Sequence, residues 1–437
     1  MPRPFSLSHP FAQFLLPDGL VCLCITPIFL FPNISPLLTA VSLSLLALFY
    51  LIYPPKPSPF NLLWLVWWLL LGVAVLITAD PDLTLPKFTG LMLGFTWWMF
   101  LNRKINGRSS LTFGFVFWGL LGLGFVSIGM FSTDWLFKVP GIAAILQRLP
   151  TSMVQLPGLE VGVQPNQLAG TLLIYLPFLF SLLIGWRPHR HRKKLLVGTA
   201  VLTLFALAVL LLTQSRSSWL GALGGIGVLL ALWGAVLPKS RQRWLLWGAV
   251  IVIMLTVFVG VFSVGAERIQ SIWNNPNQAQ ETAVGEFRSI GFRQEVWRWG
   301  LIASSDFAFT GTGLGTFRHV VRRLYPLNVH PDFDIAHAHN IFLQTALDVG
   351  IPGLITYLSI LIITAIIGWH TARRSPVYRP FVCGMMASFA ALHIYGLTDA
   401  LALGSKTGLS FWIALGLLTR MFFLQRQEST QLELVDF

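Results

Sequence analysis

The chain is a succession of apolar runs, each close to the length of a membrane-spanning helix, separated by short polar turns. A helix of about 20 apolar residues covers the roughly 30 Å hydrocarbon core of a bilayer. Lipid offers no partner to an open backbone group, so such runs must be helical unless they close into a barrel. The pattern predicts an all-α integral membrane protein with about twelve spans, near 15–32, 36–53, 61–79, 85–101, 111–130, 167–186, 195–212, 219–237, 245–264, 350–369, 380–398 and 407–424. Composition agrees. Only 11% of residues are charged, against roughly 25% in soluble domains. The 17 Trp and 34 Phe suit contact with lipid and its interfaces. Asp18 interrupts the first run and no small-residue cleavage site follows, so no cleavable leader is expected.

Charge placement orients these spans. With the N-terminus cytoplasmic, eighteen of the 30 Lys and Arg fall in cytoplasmic segments, from Arg3 and Lys56 to Arg420 and Arg426. The basic run at 187–194 is the strongest anchor, and the short outer loops carry almost none. Both termini come out cytoplasmic. Two long connections, 131–166 and 265–338, face the other side. The expected organisation is a bundle of nine spans over 1–264, a large outer loop with short helices over 265–338, three spans over 339–424 and a tail over 425–437. Orientation accounts for the net charge of +13, so nucleic acid is excluded as a partner and the bilayer is the expected one.

The loop 265–338 holds seven acids and seven arginines, with no lysine. Arg rather than Lys favours bidentate recognition of phosphate or carboxylate. "FRQEVWRWGLIASSDF" predicts a helix with Phe292, Val296, Trp299 and Ala303 on one side, and 317–325 predicts another. "GTGLG" between them is a turn; no strand precedes it, so it is not a dinucleotide fingerprint. Cys22, Cys24 and Cys383 sit in apolar surroundings and suggest neither disulfides nor a zinc site. No carboxylate cluster suggests Mg²⁺, so neither metal nor cofactor is expected.

Several residues could carry chemistry. Arg216, in "TQSRSSWLG", lies between two apolar runs. It either snorkels to the interface or contacts an anion, with Ser215 among the hydroxyls around it. Asn166, at the start of a span, is an N-cap or a substrate contact. Asp399, His393 and Lys406 flank the last outer turn and could line a cavity or pair with one another. In "HAHNIFLQTALDVGIPG" (337–353), His339 is expected on the first turn of a helix, on one face with Leu343 and Leu347. An imidazole there can take a proton near neutral pH. His337 precedes it in the loop and is expected only to cap or bind water.

His339-Asn340, nine residues, then Gly350-x-x-Gly353 resembles the signature of the O-antigen ligase and polymerase superfamily of bacterial membrane glycosyltransferases. "SRSSWLG" (215–221) resembles its Ser-Arg element. "RQEVWRWGLIASSDFAFTGTGLGTF" (293–317) resembles its Arg-x3-Trp helix, with Arg293 and Trp297, and the Gly-rich turn after it. "QPNQLAG" (164–170) resembles its Asn-Leu-Ala element. Asp348 departs from the pattern, where many members have Glu.

The resemblance implies a GT-C-like membrane fold in the bacterial inner membrane with its site facing the periplasm. It implies a metal-independent, inverting transfer from a glycan on undecaprenyl diphosphate. The acceptor would be lipid A core sugar for a ligase, another lipid-linked glycan for a polymerase, or a protein hydroxyl for an O-oligosaccharyltransferase. His339 would be the base or orienter of the acceptor hydroxyl. Arg216 and Arg293 would bind the diphosphate, supported by Ser215, Trp297, Asn340 and Asn166. Two other classes fit less well. A transporter of inorganic carbon would be expected to show inverted repeats or a partnered charge in mid-span, and neither is evident. A non-catalytic envelope scaffold would not need the Arg and His.

Overall fold

A computed structural model describes residues 18–54, 56–133, 135, 140–146, 148, 163–185, 193–263, 288–326 and 335–435. Among these residues the protein is all-helical; the one strand-like feature is an isolated bridge between Thr133 and Val163. Its α-helices are α1 (Asp18–Leu30), α2 (Pro36–Ile52), α3 (Asn61–Leu76), α4 (Pro81–Lys104), α5 (Arg108–Ser132), α6 (Pro140–Leu146), α7 (Pro165–Gly185) and α8 (Lys193–Leu212). They continue with α9 (Arg216–Val236), α10 (Arg241–Ser263), α11 (Arg288–Asp306), α12 (Phe317–Leu324), α13 (Ile341–Arg374), α14 (Arg379–Tyr395) and α15 (Leu409–Val435). Most of the strongest expected orientation anchor, most of 131–166, and 265–287 with 327–334 of the second long loop lie outside the described residues.

Among the described residues six helices, α5, α7, α8, α9, α10 and α13, are long and apolar enough to cross a membrane, and α1–α3 are shorter apolar helices. Their outer faces are apolar: Leu37, Leu45 and Leu51 on α2 and Val197, Val201 and Leu204 on α8 are exposed. In water such faces would be costly; in lipid they are solvated. At the centre, α14 packs most extensively against α7 and α9, and α4 against α15. Small residues permit these approaches. A Cβ at Gly225 of α9 would come 2.5 Å from the Ala391 side chain of α14, and one at Gly384 of α14 would come 2.9 Å from the α7 backbone at Phe178.

The expected helix 292–303 is present as part of α11. Val296 and Ala303 are fully buried, with Phe292 and Trp299 packed beside them, against Phe317 and Val321 of α12 and Leu343 and Leu347 of α13. The helix expected at 317–325 is α12. The span expected to begin at 350 is different. One helix, α13, runs from Ile341 to Arg374 and kinks at Gly350, whose φ of 76° is non-helical. Asn340 is its N-cap: the side-chain oxygen accepts from the backbone N–H of Phe342 and of Leu343, both at 3.0 Å. His339 therefore precedes the N-cap, two residues before the helix, and is not on its first turn.

The glycine-rich turn after α11 fills the kink. Thr312 donates its backbone N–H to Leu347 O at 2.6 Å, and Ile351 N–H reaches Ala308 O at 2.7 Å. Both groups belong to the ladder that the kink opens, and the turn re-satisfies them. Contact this close needs bare backbone. A Cβ at Gly311 would lie 2.6 Å from Leu347 O, and one at Gly350 2.6 Å from Phe309 O; both have positive φ. Gly350→Ala is therefore expected to lower stability by about 2 kcal/mol or more. Thermal unfolding in detergent measures this. Gly72→Ala, where a Cβ meets nothing within 4 Å, should leave the midpoint unchanged or raise it.

Candidate active site

At the C-terminal end of α14 the chain turns back through Asp399, whose side chain is only 2% exposed. Asn166 donates its side-chain N–H to Asp399 Oδ2 at 2.8 Å, and the Ala400 backbone N–H reaches Oδ1 at 2.9 Å. Three cationic or potentially cationic groups surround the same carboxylate. Arg293 Nη2 lies 3.6 Å from Oδ2. His337 Nε2 and His339 Nδ1 each lie 3.6 Å from Oδ1. These distances fit ion pairing and exceed those of a hydrogen bond.

Each partner is placed by a different element. Asn166 lies inside the first turn of α7, so it is not an N-cap. Its own carbonyl accepts from the Tyr395 hydroxyl at 2.9 Å, tying α7 to α14. Arg293 and Trp297 lie one turn apart on α11, which is fixed by the plugged kink. The start of α13 is moored to the α14 end: Ile341 N–H reaches Gly396 O at 2.7 Å, and Asn340 Nδ2 reaches Leu397 O at 3.1 Å. That mooring brings 337–339 beside Asp399. His339 has a φ of 50°, a left-handed conformation that histidine tolerates better than most residues. Its backbone N–H donates to His337 Nδ1 at 3.1 Å, and Phe292 meets its ring edge to face at 5.4 Å. His337 is thus a partner of both His339 and Asp399, rather than a solvated cap.

The electrostatics follow from burial and neighbours. Burial pushes the Asp399 carboxyl up, but His339, His337 and Arg293 together outweigh it, and its pKa is held below the usual carboxylate range. His337 is driven the other way, to about 3, by burial first and then by the charge of His339. At neutral pH it is a neutral imidazole. With Nδ1 accepting from the backbone, its proton sits on Nε2, facing Asp399. The Trp297 indole N–H is buried without a hydrogen-bond partner.

Arg216 stands apart. It is exposed at the N-terminus of α9, immediately after Ser215. The turn before it is tight, with Gln214 at φ 50°. Thr213 and Ser218 give their hydroxyls to the carbonyls of Leu210 and Ser215, so these two serve the turn itself. A Cβ at Gly221 of α9 would lie 3.0 Å from Tyr395 Cβ. Arg216 is five residues earlier, roughly 7.5 Å along the helix, on the same end of the bundle as Asp399.

Two further residues join the site. Lys87, in the second turn of α4, lies 3.7 Å from Asp348 Oδ2, and its ammonium has no hydrogen-bond partner. Asp348 Oδ1 accepts from the Gly315 backbone N–H and from Gln344 Nε2, both at 2.8 Å. The glycine turn therefore takes the protein's own carboxylate, not a nest for an external anion. Trp67, Leu91, Gln344 and Thr345 line a cleft with this pair. Gln344 also accepts from the Ala338 N–H at 2.8 Å, so the cleft adjoins the histidine loop.

Residues 201–358 match the model of the O-antigen ligase family. That segment is thus similar to the O-antigen ligase family, in line with the resemblance of the chain's motifs. The matched segment holds Arg216, Arg293, Trp297, His339 and Asn340 and stops short of Asp399. No curated protein matches the chain. The match supports a function of the O-antigen ligase or polymerase type in general, on a chain with several helices apolar and long enough to cross a membrane.

His337, His339 and Asp399 also place three donor atoms within 4.8 Å of one another, as metal ligands do. An ion bound there would share the carboxylate with the Arg293 guanidinium, so the donor set suits an acid–imidazole pair better than a divalent cation.

The pKa of His337 carries a pH dependence. Below about pH 6.5 the unfolded chain binds a proton that folded His337 refuses until about pH 3. Stability should fall with pH across that window, by up to about 1.4 kcal/mol per unit. Unfolding midpoints between pH 7 and 4 should show a shallower slope in His337→Gln than in the parent.

Proposed function

We propose that the protein is an O-antigen ligase-like glycosyltransferase. It moves a glycan from undecaprenyl diphosphate to an acceptor hydroxyl at the periplasmic face of the bacterial inner membrane, inverting and without metal. The observation that carries this reading is the meeting of His339 and Arg293 on one buried carboxylate, at the same end of the bundle as Arg216.

His339 Nδ1 faces Asp399, which leaves Nε2 to accept the acceptor's proton. The ionised carboxylate then stabilises the imidazolium and holds its tautomer. The hydroxyl oxygen forms a bond to the anomeric carbon from the face opposite the diphosphate. The bond to the diphosphate oxygen breaks, and its electrons leave as phosphate charge. Arg293 turns one guanidinium nitrogen to Asp399 and keeps other N–H groups for that charge. Arg216 adds a second guanidinium at a helix N-terminus, where the helix dipole favours an anion. Trp297 offers an unpartnered indole N–H to the donor. Asn340 and Asn166 hold the helix start and the carboxylate in place, and Ser215 shapes the turn before Arg216. The donor's isoprenoid tail would lie against the lipid-facing apolar helices. Both termini are cytoplasmic on this reading, and 265–338 forms the periplasmic part.

Purified protein in proteoliposomes, supplied with a lipid-linked glycan and an acceptor, tests this. His339→Ala and Arg293→Ala should each cost about 10²-fold or more in transfer, with folded yield preserved. Arg216→Ala should weaken donor use, and chelation by EDTA should leave the rate unchanged. Full activity in His339→Ala or Arg293→Ala would overturn the assignment.

A further inference from the structure

The far end of α4 carries a second concentration of charge. Lys104 lies seventeen residues beyond Lys87, about 25 Å along the helix axis, at the opposite end of the bundle from Asp399. Asp18, buried at the start of α1, meets Arg103 Nη2 at 3.4 Å and Lys104 Nζ at 3.1 Å. Arg103 lies over the rings of Phe49 and Tyr53 and gives Nη1 to Tyr53 O at 3.0 Å. Lys56 reaches in from the connection after α2, donating to Arg103 O at 2.9 Å and to Asn106 Oδ1 at 3.4 Å. Arg420 of α15 is only 6% exposed, stacks over Phe423, and leaves its Nε buried without a hydrogen-bond partner.

Lys56 feels all three of the other cations, and among the described residues Asp18 is the one carboxylate in an ion pair with any of the four. The next acid on α15, Glu428, is taken by Arg108 at 3.1 Å and by the Tyr378 hydroxyl at 2.8 Å. Residues 1–17 contain no Asp or Glu. The imbalance is felt at Lys56, an exposed side chain whose ammonium is held below its usual pKa by partial desolvation first and then by Arg420 and Arg103, against the pull of Asp18. Charge that serves only to orient a membrane protein needs to reach water, not to be buried. A buried guanidinium with an unmade hydrogen bond costs free energy that an anion would offset. The flank of the cluster is apolar: Leu48, Leu51 and Ile52 of α2 are exposed, beside Tyr53. An anion with acyl chains fits both surfaces.

We propose that Lys56, Arg103, Lys104 and Arg420 form a binding site for the phosphate headgroup of an anionic phospholipid, in the leaflet opposite the His339 site. The site is independent of the transfer chemistry and would fix the seating of α1, α4 and α15 in the membrane.

The full-length protein in neutral detergent tests this. Thermal midpoints are measured during titration with mixed micelles of phosphatidylglycerol, of phosphatidylcholine, or with inorganic phosphate. A saturable rise with phosphatidylglycerol is expected, with little response to the other two. Arg420→Gln and Lys56→Gln should each raise the half-saturating concentration about fivefold. Lys56 is exposed, so its variant keeps the test valid if Arg420→Gln fails to fold. Lys239→Gln, at an exposed lysine between α9 and α10, should behave as the parent. An unchanged titration in Lys56→Gln would overturn the proposal, as would an equal response to phosphatidylcholine. A rise with inorganic phosphate that matches phosphatidylglycerol would overturn the lipid assignment.

Discussion

The arrangement depends on a break in one helix. At Gly350 the hydrogen-bond ladder of α13 opens, and the turn after α11 enters the gap and closes it with its own backbone groups. Bare backbone on both sides makes this contact possible, because a Cβ at Gly311 or Gly350 would collide with a carbonyl. The joint locks α11, which carries Arg293, to α13, which begins beside His339. Without it the two residues would belong to elements with no fixed relation. The H-N-x9-G-x-x-G spacing thus has a mechanical meaning: its first half caps a helix, and its second half breaks it.

Asp399 then collects what the joint has aligned. It is a buried acid surrounded by an arginine, two histidines and an asparagine from three other parts of the fold. Burial alone would favour its neutral form; its neighbours keep it charged. A charged carboxylate here can both orient an imidazole and stabilise it once protonated. It also holds one face of Arg293 and leaves the other for a ligand. The Lys87–Asp348 pair repeats the pattern next door, where the glycine turn donates to Asp348 through Gly315.

α4 connects two ends of different character. Near its start, Lys87 faces an acid within a cleft. Near its end, Arg103 and Lys104 share Asp18 amid an excess of positive charge. The first end is suited to chemistry, since its charges are compensated and aimed at one point. The other is suited to holding an anion, since its charges are not.

The sequence by itself determined the class of fold, the helix in 292–303 with its buried face, and the types of residue that matter. Periodicity and apolar length are local, and lipid permits few alternatives. It also marked His339, a polar group at the edge of an apolar run, and Arg293, through its resemblance to a family motif. It did not place them. His339 was legible as polar beside an apolar run, yet Asn340 takes the cap and leaves it two residues before the helix. Asp399 sits sixty residues from His339, on a turn that no motif marks, and Lys87 is a lysine two residues inside an expected span. Which acid meets which base is decided by long-range packing: α14 against α7 and α9, and a glycine turn in a broken helix. Those contacts depend on shapes that only the folded chain brings together.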